Sequence, residues 1–222
     1  MDNPPQNNTP LVSSTCHPKP PARILLVITG ASGSLYGEMF LQFLLNNVSS
    51  RIYMIASEMA KKVIRFELST GSQPGSLVRI LSGSLLPSEK EQLRIFEDSD
   101  LFAPVASGSS VADAMIILPC SMGTVARIAA GTSQSLTERA ADVAIKQRKT
   151  LIICPRESPL SSLHLRNLLE LSQLGAHIVP LMPAMYQKPK SIEDIVRFSI
   201  GRVCELLGLE HLFYKPWNNA RR

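Results

Sequence analysis

Leu26 to Phe40, LVITGASGSLYGEMF, joins an apolar run to a glycine-rich turn and then to an amphipathic segment, and its reading decides the fold. Ile24 to Ile28 is continuously apolar, the pattern of a strand buried on both faces. A helix is expected to begin near Ser34. Gly30, Gly33 and Gly37 spread over the turn and the helix start, so backbone N–H groups can face a ligand without Cβ atoms in the way. The spacing is G-x-x-G-x-x-x-G and not the dinucleotide G-x-G-x-x-G. The turn therefore reads equally as a phosphate-cradling ligand turn or as a tight strand-to-helix connection.

The same alternation recurs outward from this stretch. RIYMIAS (Arg51 to Ser57) reads as a second strand, and EMAKKVIRFEL as a helix packed through Met59, Val63, Ile64 and Leu68. A Ser, Gly and Pro-rich stretch from Ser69 to Leu93 leads to RIFE, a third strand. DAMIILPC (Asp113 to Cys120), TLIICP (Thr150 to Pro155) and AHIVPL (Ala176 to Leu181) supply three more, with helical patterns between them. Alternating strands and helices predict a doubly wound α/β domain, a parallel sheet covered on both faces in three layers. The last helix is expected to open at Ser191 as N-cap, with Asp194 as its capping-box partner, and to close at Gly208. The expected organisation is a proline-rich tail over 1–22, one domain over 23–208 and a second tail over 209–222.

A chain of 222 residues with 45% hydrophobic content fits one ordinary globular domain. The net charge of +5 comes from scattered basic residues that do not interleave with the seven Phe, four Tyr and one Trp, which argues against nucleic acid. Cys16, Cys120, Cys154 and Cys204 are far apart with no C-x-x-C, so neither a zinc site nor a redox dithiol is expected. A reduced cytoplasmic setting fits them. No apolar run approaches the ~20 residues of a membrane span, and the N-terminal residues lack a signal-peptide pattern. FEDSD (Phe96 to Asp100) and IED (Ile192 to Asp194) read as a turn and a helix cap, so no metal is expected.

In such a sheet a ligand sits beyond the carboxyl ends of the strands. Those ends supply TGASG, Ser57, PCSMGT and PRESP, four remote segments rich in hydroxyls, free N–H groups and charge. Ser158 is expected to cap the next helix with Pro159 at its first position, leaving Arg156 and Glu157 at the junction. Arg139 and Lys146, seven apart on one helix, point the same way, either as anion ligands or as surface groups with Arg139 on Asp142. Glu157 is either an ion-pair partner of Arg156 or a proton-transfer group. Cys120 and Cys154 read as buried strand-end residues, His164 as a helix-start cap and His177 as a strand residue. Tyr186 and Lys190 spell Y-x-x-x-K beside TGASG, but Pro189 denies them a shared helix face, and Ser57 stands where a dinucleotide site needs an acid.

TGASG, ASGS (Ala106 to Ser109), PCSMGT, LTERAADVAIKQR and PRESPLS with HLRNLLELSQLGA stand in order and at characteristic spacing. On these motifs the chain resembles the UbiX/Pad1 family of flavin prenyltransferases from about Arg23 to Trp217. The resemblance implies a Rossmann-like or flavodoxin-like subunit, a homododecamer with active sites between subunits, and no metal. It implies transfer of a dimethylallyl group from dimethylallyl phosphate to N5 and C6 of reduced FMN, making prenylated FMN for a UbiD-type decarboxylase. By the same resemblance Gly30, Ala31, Ser32, Ser57, Ser121, Met122, Gly123, Thr124 and Arg156 bind FMN. Arg139, Lys146, Tyr186, Arg202 and Trp217 receive the prenyl phosphate, and Ser32, Glu67, Lys146 and Glu157 carry the chemistry. The 209–222 tail would then contribute to the site or to a subunit interface. Leu101 stands where some members have an aromatic residue, and Ala184-Met185 where Gly-Phe is frequent; both bear on the shape of the prenyl pocket. The alternatives are an FMN-dependent cysteine decarboxylase, whose PASANT-like and PxMNxxMW-like motifs are absent here, and a flavin carrier without turnover.

Overall fold

In a computed structural model, which describes residues 19–68, 77 and 92–214, each expected apolar run forms a strand. These are β1 (Arg23–Ile28), β2 (Arg51–Ala56), β3 (Leu93–Glu97), β4 (Ala114–Cys120), β5 (Thr150–Pro155) and β6 (His177–Ile178). All pairings are parallel, in the order β3-β2-β1-β4-β5-β6. Six helices of eight or more residues accompany them among the described residues: α1 (Ser34–Asn47), α2 (Glu58–Leu68), α3 (Met122–Ala129), α4 (Leu136–Lys146), α5 (Ser162–Gln173) and α6 (Ile192–Leu207). No helix of the described residues is long and apolar enough to cross a membrane.

Strand period two divides the core cleanly. Ile24, Leu26 and Ile28 of β1 face a cluster with Phe40 and Leu44 of α1, Ile64 of α2 and Val196, Ile200 and Val203 of α6. Leu25 and Val27 face the opposite cluster, with Val125 of α3, Leu136 and Ala140 of α4 and Leu168 and Leu171 of α5. Helices α1, α2 and α6 thus cover one face, and α3, α4 and α5 the other. The winding reverses between β1 and β4, which opens the crevice where ligands bind in sheets of this kind.

Three local expectations need correction. The α5 helix starts at Ser161, not Ser158: the Ser161 hydroxyl accepts the His164 N–H at 3.2 Å while His164 Nδ1 accepts the Ser161 N–H at 3.3 Å. That reciprocal cap satisfies two end donors at once, which a Ser158 cap three residues earlier does not. Strand β6 is two residues and not six; Val179 and Leu181 still donate to β5, and Pro180 between them lies where an N–H would point away from β5, on the outer side of an edge strand. Met59 is 56% exposed, and α2 buries Ala60 in its place together with the expected Ile64. At α6 the Ser191 cap holds as expected, with Asp194 returning its carboxylate to the Lys190 N–H and Gly208 closing the helix in the left-handed region. The 1–22 tail lies almost wholly outside the described residues, as do Cys16, most of the Ser69 to Leu93 stretch and Trp217.

Candidate active site

Backbone bonds stitch the carboxyl ends of the strands into one rim. Ser57 donates to Ile28 O at 3.0 Å, Thr29 to Pro119 O at 3.2 Å and Arg156 to Cys120 O at 3.2 Å. The buried Thr29 hydroxyl bridges further, donating to Pro119 O at 3.1 Å and accepting the Ser121 N–H at 2.8 Å. Ser57, Ser121 and Arg156, expected from sequence to converge, are therefore within one connected ring of residues. Arg156 is exposed, and its Nε donates to Ser32 O at 3.1 Å, fastening the β5 end to the first turn.

The first turn holds a carboxylate of the protein itself. Glu67, in the last turn of α2, accepts the Gly33 N–H at 3.1 Å on each oxygen and the Ser34 N–H at 2.7 Å on Oε2. The start of α1, where the helix dipole favours an anion, is thus already satisfied from within. Burial works against ionisation of Glu67, but hydrogen bonds from the Ser32 side chain and from the Ser34 and Gly33 amides outweigh it and lower its pKa. The glycines have structural duties: Gly33 sits at φ +112°, open to glycine, and a Cβ on Gly30 would lie 2.5 Å from Met59 Cγ. Given to Glu67, the Gly33 and Ser34 amides are not open to cradle a phosphate, and the tight-connection reading is the one the geometry fits. The turn also brings Ser32 and Glu67 together at the rim.

The second helix start is differently disposed. Ser121 caps α3, its hydroxyl accepting the Thr124 N–H at 3.3 Å and lying 3.0 Å from the Thr124 hydroxyl. No hydrogen bond within the described residues engages the N–H groups of Met122 and Gly123, so these donors face the rim free for an anion or a ring carbonyl. Behind them Arg127 donates to Thr124 Oγ1 at 3.3 Å and to Glu138 Oε1 at 2.6 Å. Glu138 is 3% exposed and also accepts from Thr132 and the Gln134 N–H. Its burial is more than offset by the Gln134 amide and Arg127, which lower its pKa. This pair, a buried carboxylate with a half-exposed guanidinium, couples α3 to α4, and no local sequence pattern announces it.

The remaining expected residues divide between the two faces of the sheet. Arg139 on α4 pairs with Asp142 at 2.9 Å and donates to Ala106 O at 3.2 Å, the surface arrangement weighed above, while Lys146 is exposed. Tyr186, in a short 3-10 turn (Met185–Gln187), and Arg202, on α6, lie on the opposite face near one another. Within one chain these two sets are not brought together. Glu157 is exposed, its carboxylate accepting the Ser158 N–H at 3.1 Å and not pairing with Arg156 among the described residues. Cys120, Cys154 and Cys204 are buried free thiols, and burial pushes Cys120 and Cys204 up to about 12, so none is a nucleophile. No cluster of metal-ligating side chains exists among the described residues.

An exposed apolar set surrounds this rim and α5: Met59, Leu101, Phe102, Met182 and Met185 at the strand ends, with Leu163, Leu165 and Leu169 along the helix. Leu168 and Leu171 already face the core, so α5 is apolar on two sides, unusual for a helix that ends at solvent.

A doubly wound sheet in the Rossmann order β3-β2-β1-β4-β5-β6, with hydroxyls, free amides and arginine gathered at its switch point, defines a Rossmann-like protein with a flavin or nucleotide site. Comparison with known proteins narrows this. The Flavoprotein family model matches residues 12–204. Flavin prenyltransferase UbiX of Methanocaldococcus jannaschii is 40% identical over 198 residues, 89% of this chain and 100% of that protein, and the Pseudomonas aeruginosa enzyme of the same name is 40% identical over 199 residues, 89% and 94%. The crystal structure of AnUbiX (PadA1) in complex with FMN and dimethylallyl pyrophosphate superposes with TM-score 0.77 at 38% identity, covering 89% of this chain and 97% of that one. A dodecameric FMN-dependent UbiX-like decarboxylase from Escherichia coli O157:H7 gives TM-score 0.77 at 36% identity over 88% and 98%. The chain belongs to the Flavoprotein family and, within it, to the UbiX/Pad1 flavin prenyltransferases.

Proposed function

We propose that this protein transfers a dimethylallyl group from dimethylallyl phosphate to N5 and C6 of reduced FMN, without a metal, and passes the prenylated flavin to a UbiD-type decarboxylase. The observation that carries the reading is the pairing of Ser32 with the ionised Glu67 on the same rim as the unengaged amides of α3. The donor set suits FMN: Met122 and Gly123 N–H groups and the Ser121, Thr124 and Ser57 hydroxyls can meet its polar ring edge and phosphate, and Arg156 commits only Nε to the protein among the described residues. When bound, reduced FMN supplies the nucleophilic nitrogen and carbon.

The chain's own residues do the rest. Ser32, with its hydroxyl bonded to Glu67, orients the flavin at N5 and relays a proton. Glu157, exposed on the rim, takes the proton lost on ring closure or gives one to the departing phosphate. Allylic substitution builds positive charge on carbon and negative charge on the leaving group. An apolar, water-poor wall around the first and cationic donors around the second favour it. Arg139, Lys146, Arg202 and the Tyr186 hydroxyl are those donors, with Trp217 near them. Since α4 and α6 cover opposite faces, the two pairs meet by assembly, Arg139 and Lys146 of one copy beside Tyr186 and Arg202 of another. The exposed apolar set at the strand ends and on α5 supports assembly of several copies, the dodecameric Escherichia coli relative favours a homododecamer, and the buried free thiols suit a cytoplasmic setting.

The test is anaerobic incubation of the purified protein with reduced FMN and dimethylallyl phosphate, followed by mass analysis of the flavin. A flavin heavier by one prenyl unit is the expected product. Unchanged flavin with tight binding makes the protein a carrier, and carbon dioxide from a peptidyl cysteine makes it a decarboxylase.

A further inference from the structure

Arg202 is not idle on α6. One turn further along, Glu205 pairs through Oε2 with Arg202 Nη1, and its other oxygen, Oε1, accepts the Tyr214 hydroxyl. His211 Nε2 lies 3.9 Å from Oε1, but burial lowers the His211 pKa, so at neutral pH the ring is uncharged and Arg202 is the cation that faces Glu205. The chain beyond α6 folds back over Gly201, where a Cβ would stand 2.4 Å from Tyr214 Cε1 and 2.9 Å from His211 Cε1. Tyr214 then packs on Phe198 with ring centroids 4.9 Å apart, and Phe198 meets Tyr186 edge-on at 5.9 Å. Tyr186 and Arg202, the two residues on this face assigned to the prenyl phosphate, are therefore joined through Phe198 and Tyr214 to a single carboxylate.

A guanidinium already paired with a carboxylate is a weakened phosphate ligand, because an incoming dianion meets the Glu205 charge within one helical turn. Phosphate enters on the donor and stays behind as product, so unchecked affinity for it would slow release. We propose that Glu205 is an internal anion that competes with phosphate for Arg202, held in place by Tyr214, and so sets how tightly the site retains phosphate and how readily the product leaves. This rests on the assignment of Arg202 to the phosphate.

The experiment is calorimetric titration of inorganic phosphate into the FMN-loaded full-length protein. Glu205→Gln keeps the shape, with its one oxygen left to accept from Arg202 and its NH2 able to donate to the Tyr214 hydroxyl oxygen, but drops the charge, and it is expected to bind phosphate about three- to tenfold more tightly. Glu205→Ala, which removes charge and shape together, has the same sign, and product inhibition by phosphate deepens in both during turnover. The gain disappears when Arg202→Ala is added. Phosphate bound by Glu205→Gln as weakly as by wild type, or more weakly, while Arg202→Ala alone loses affinity, overturns the competing-anion role and spares the phosphate assignment. Arg202→Ala binding phosphate as well as wild type overturns the assignment itself, and this inference with it.

Discussion

Replacing Glu67 by Gln perturbs the α1 start more than its exposure suggests. The carboxylate accepts two backbone N–H groups, with the Ser34 bond short at 2.7 Å and the Gly33 bond shared between both oxygens. An amide can offer only one oxygen, and its NH2 then faces a donor. Charge-assisted bonds contribute about 1.5–3 kcal/mol each. Solvent screening at this partly exposed site reduces the pair to about 2 kcal/mol. For a domain of this size that corresponds to a fall in Tm of about 4–8 °C. The sign with pH follows from the lowered pKa of Glu67. Its contribution is complete above the unfolded-chain value, near 4.3, and is lost as pH falls through the lower folded value. Thermal melts of wild type and Glu67→Gln at pH 7 should therefore differ, and the gap should close on acidification below pH 4. Equal melting at pH 7, or a gap unchanged at low pH, would refute the account of Glu67 as the anion of the α1 start.

Gly30→Ala forces a Cβ to within 2.5 Å of Met59 Cγ, and the resulting shift should lower stability by about 1–3 kcal/mol in denaturant unfolding; wild-type stability would mean that α2 yields without strain. Glu157→Gln should keep FMN bound but slow prenyl transfer about 100-fold, and a fully active variant returns Glu157 to its local bond with Ser158. Prenyl transfer should proceed unaltered in excess EDTA, since arginine, lysine and tyrosine supply the donors; collapse on chelation with recovery on adding magnesium would contradict the metal-free mechanism.

Strands were readable because six apolar runs carry their own signal, and their order confines a ligand to one end of the sheet. The helix caps were readable only where a single candidate stood alone: Ser191 was correct, whereas Ser158 lost to Ser161 because the deciding partner, His164, is not the usual Glu or Gln of a capping box. The bonds that hold the site are of another kind. Glu67 and Gly33 are 34 residues apart, Arg127 and Glu138 lie on different helices, and Tyr214 reaches Glu205 by folding back. No local pattern announces such pairs. The separation of Arg139 and Lys146 from Tyr186 and Arg202 was likewise hidden, since it depends on which face of the sheet each helix covers.

The Arg127–Glu138 pair ties the start of α3, through Thr124, to the helix that carries Arg139 and Lys146. Through Glu138, whose carboxylate also accepts from Thr132 and the Gln134 N–H, a displacement at the start of α4 is passed to the α3 turn, so substitutions at Glu138 are expected to be felt at both helices.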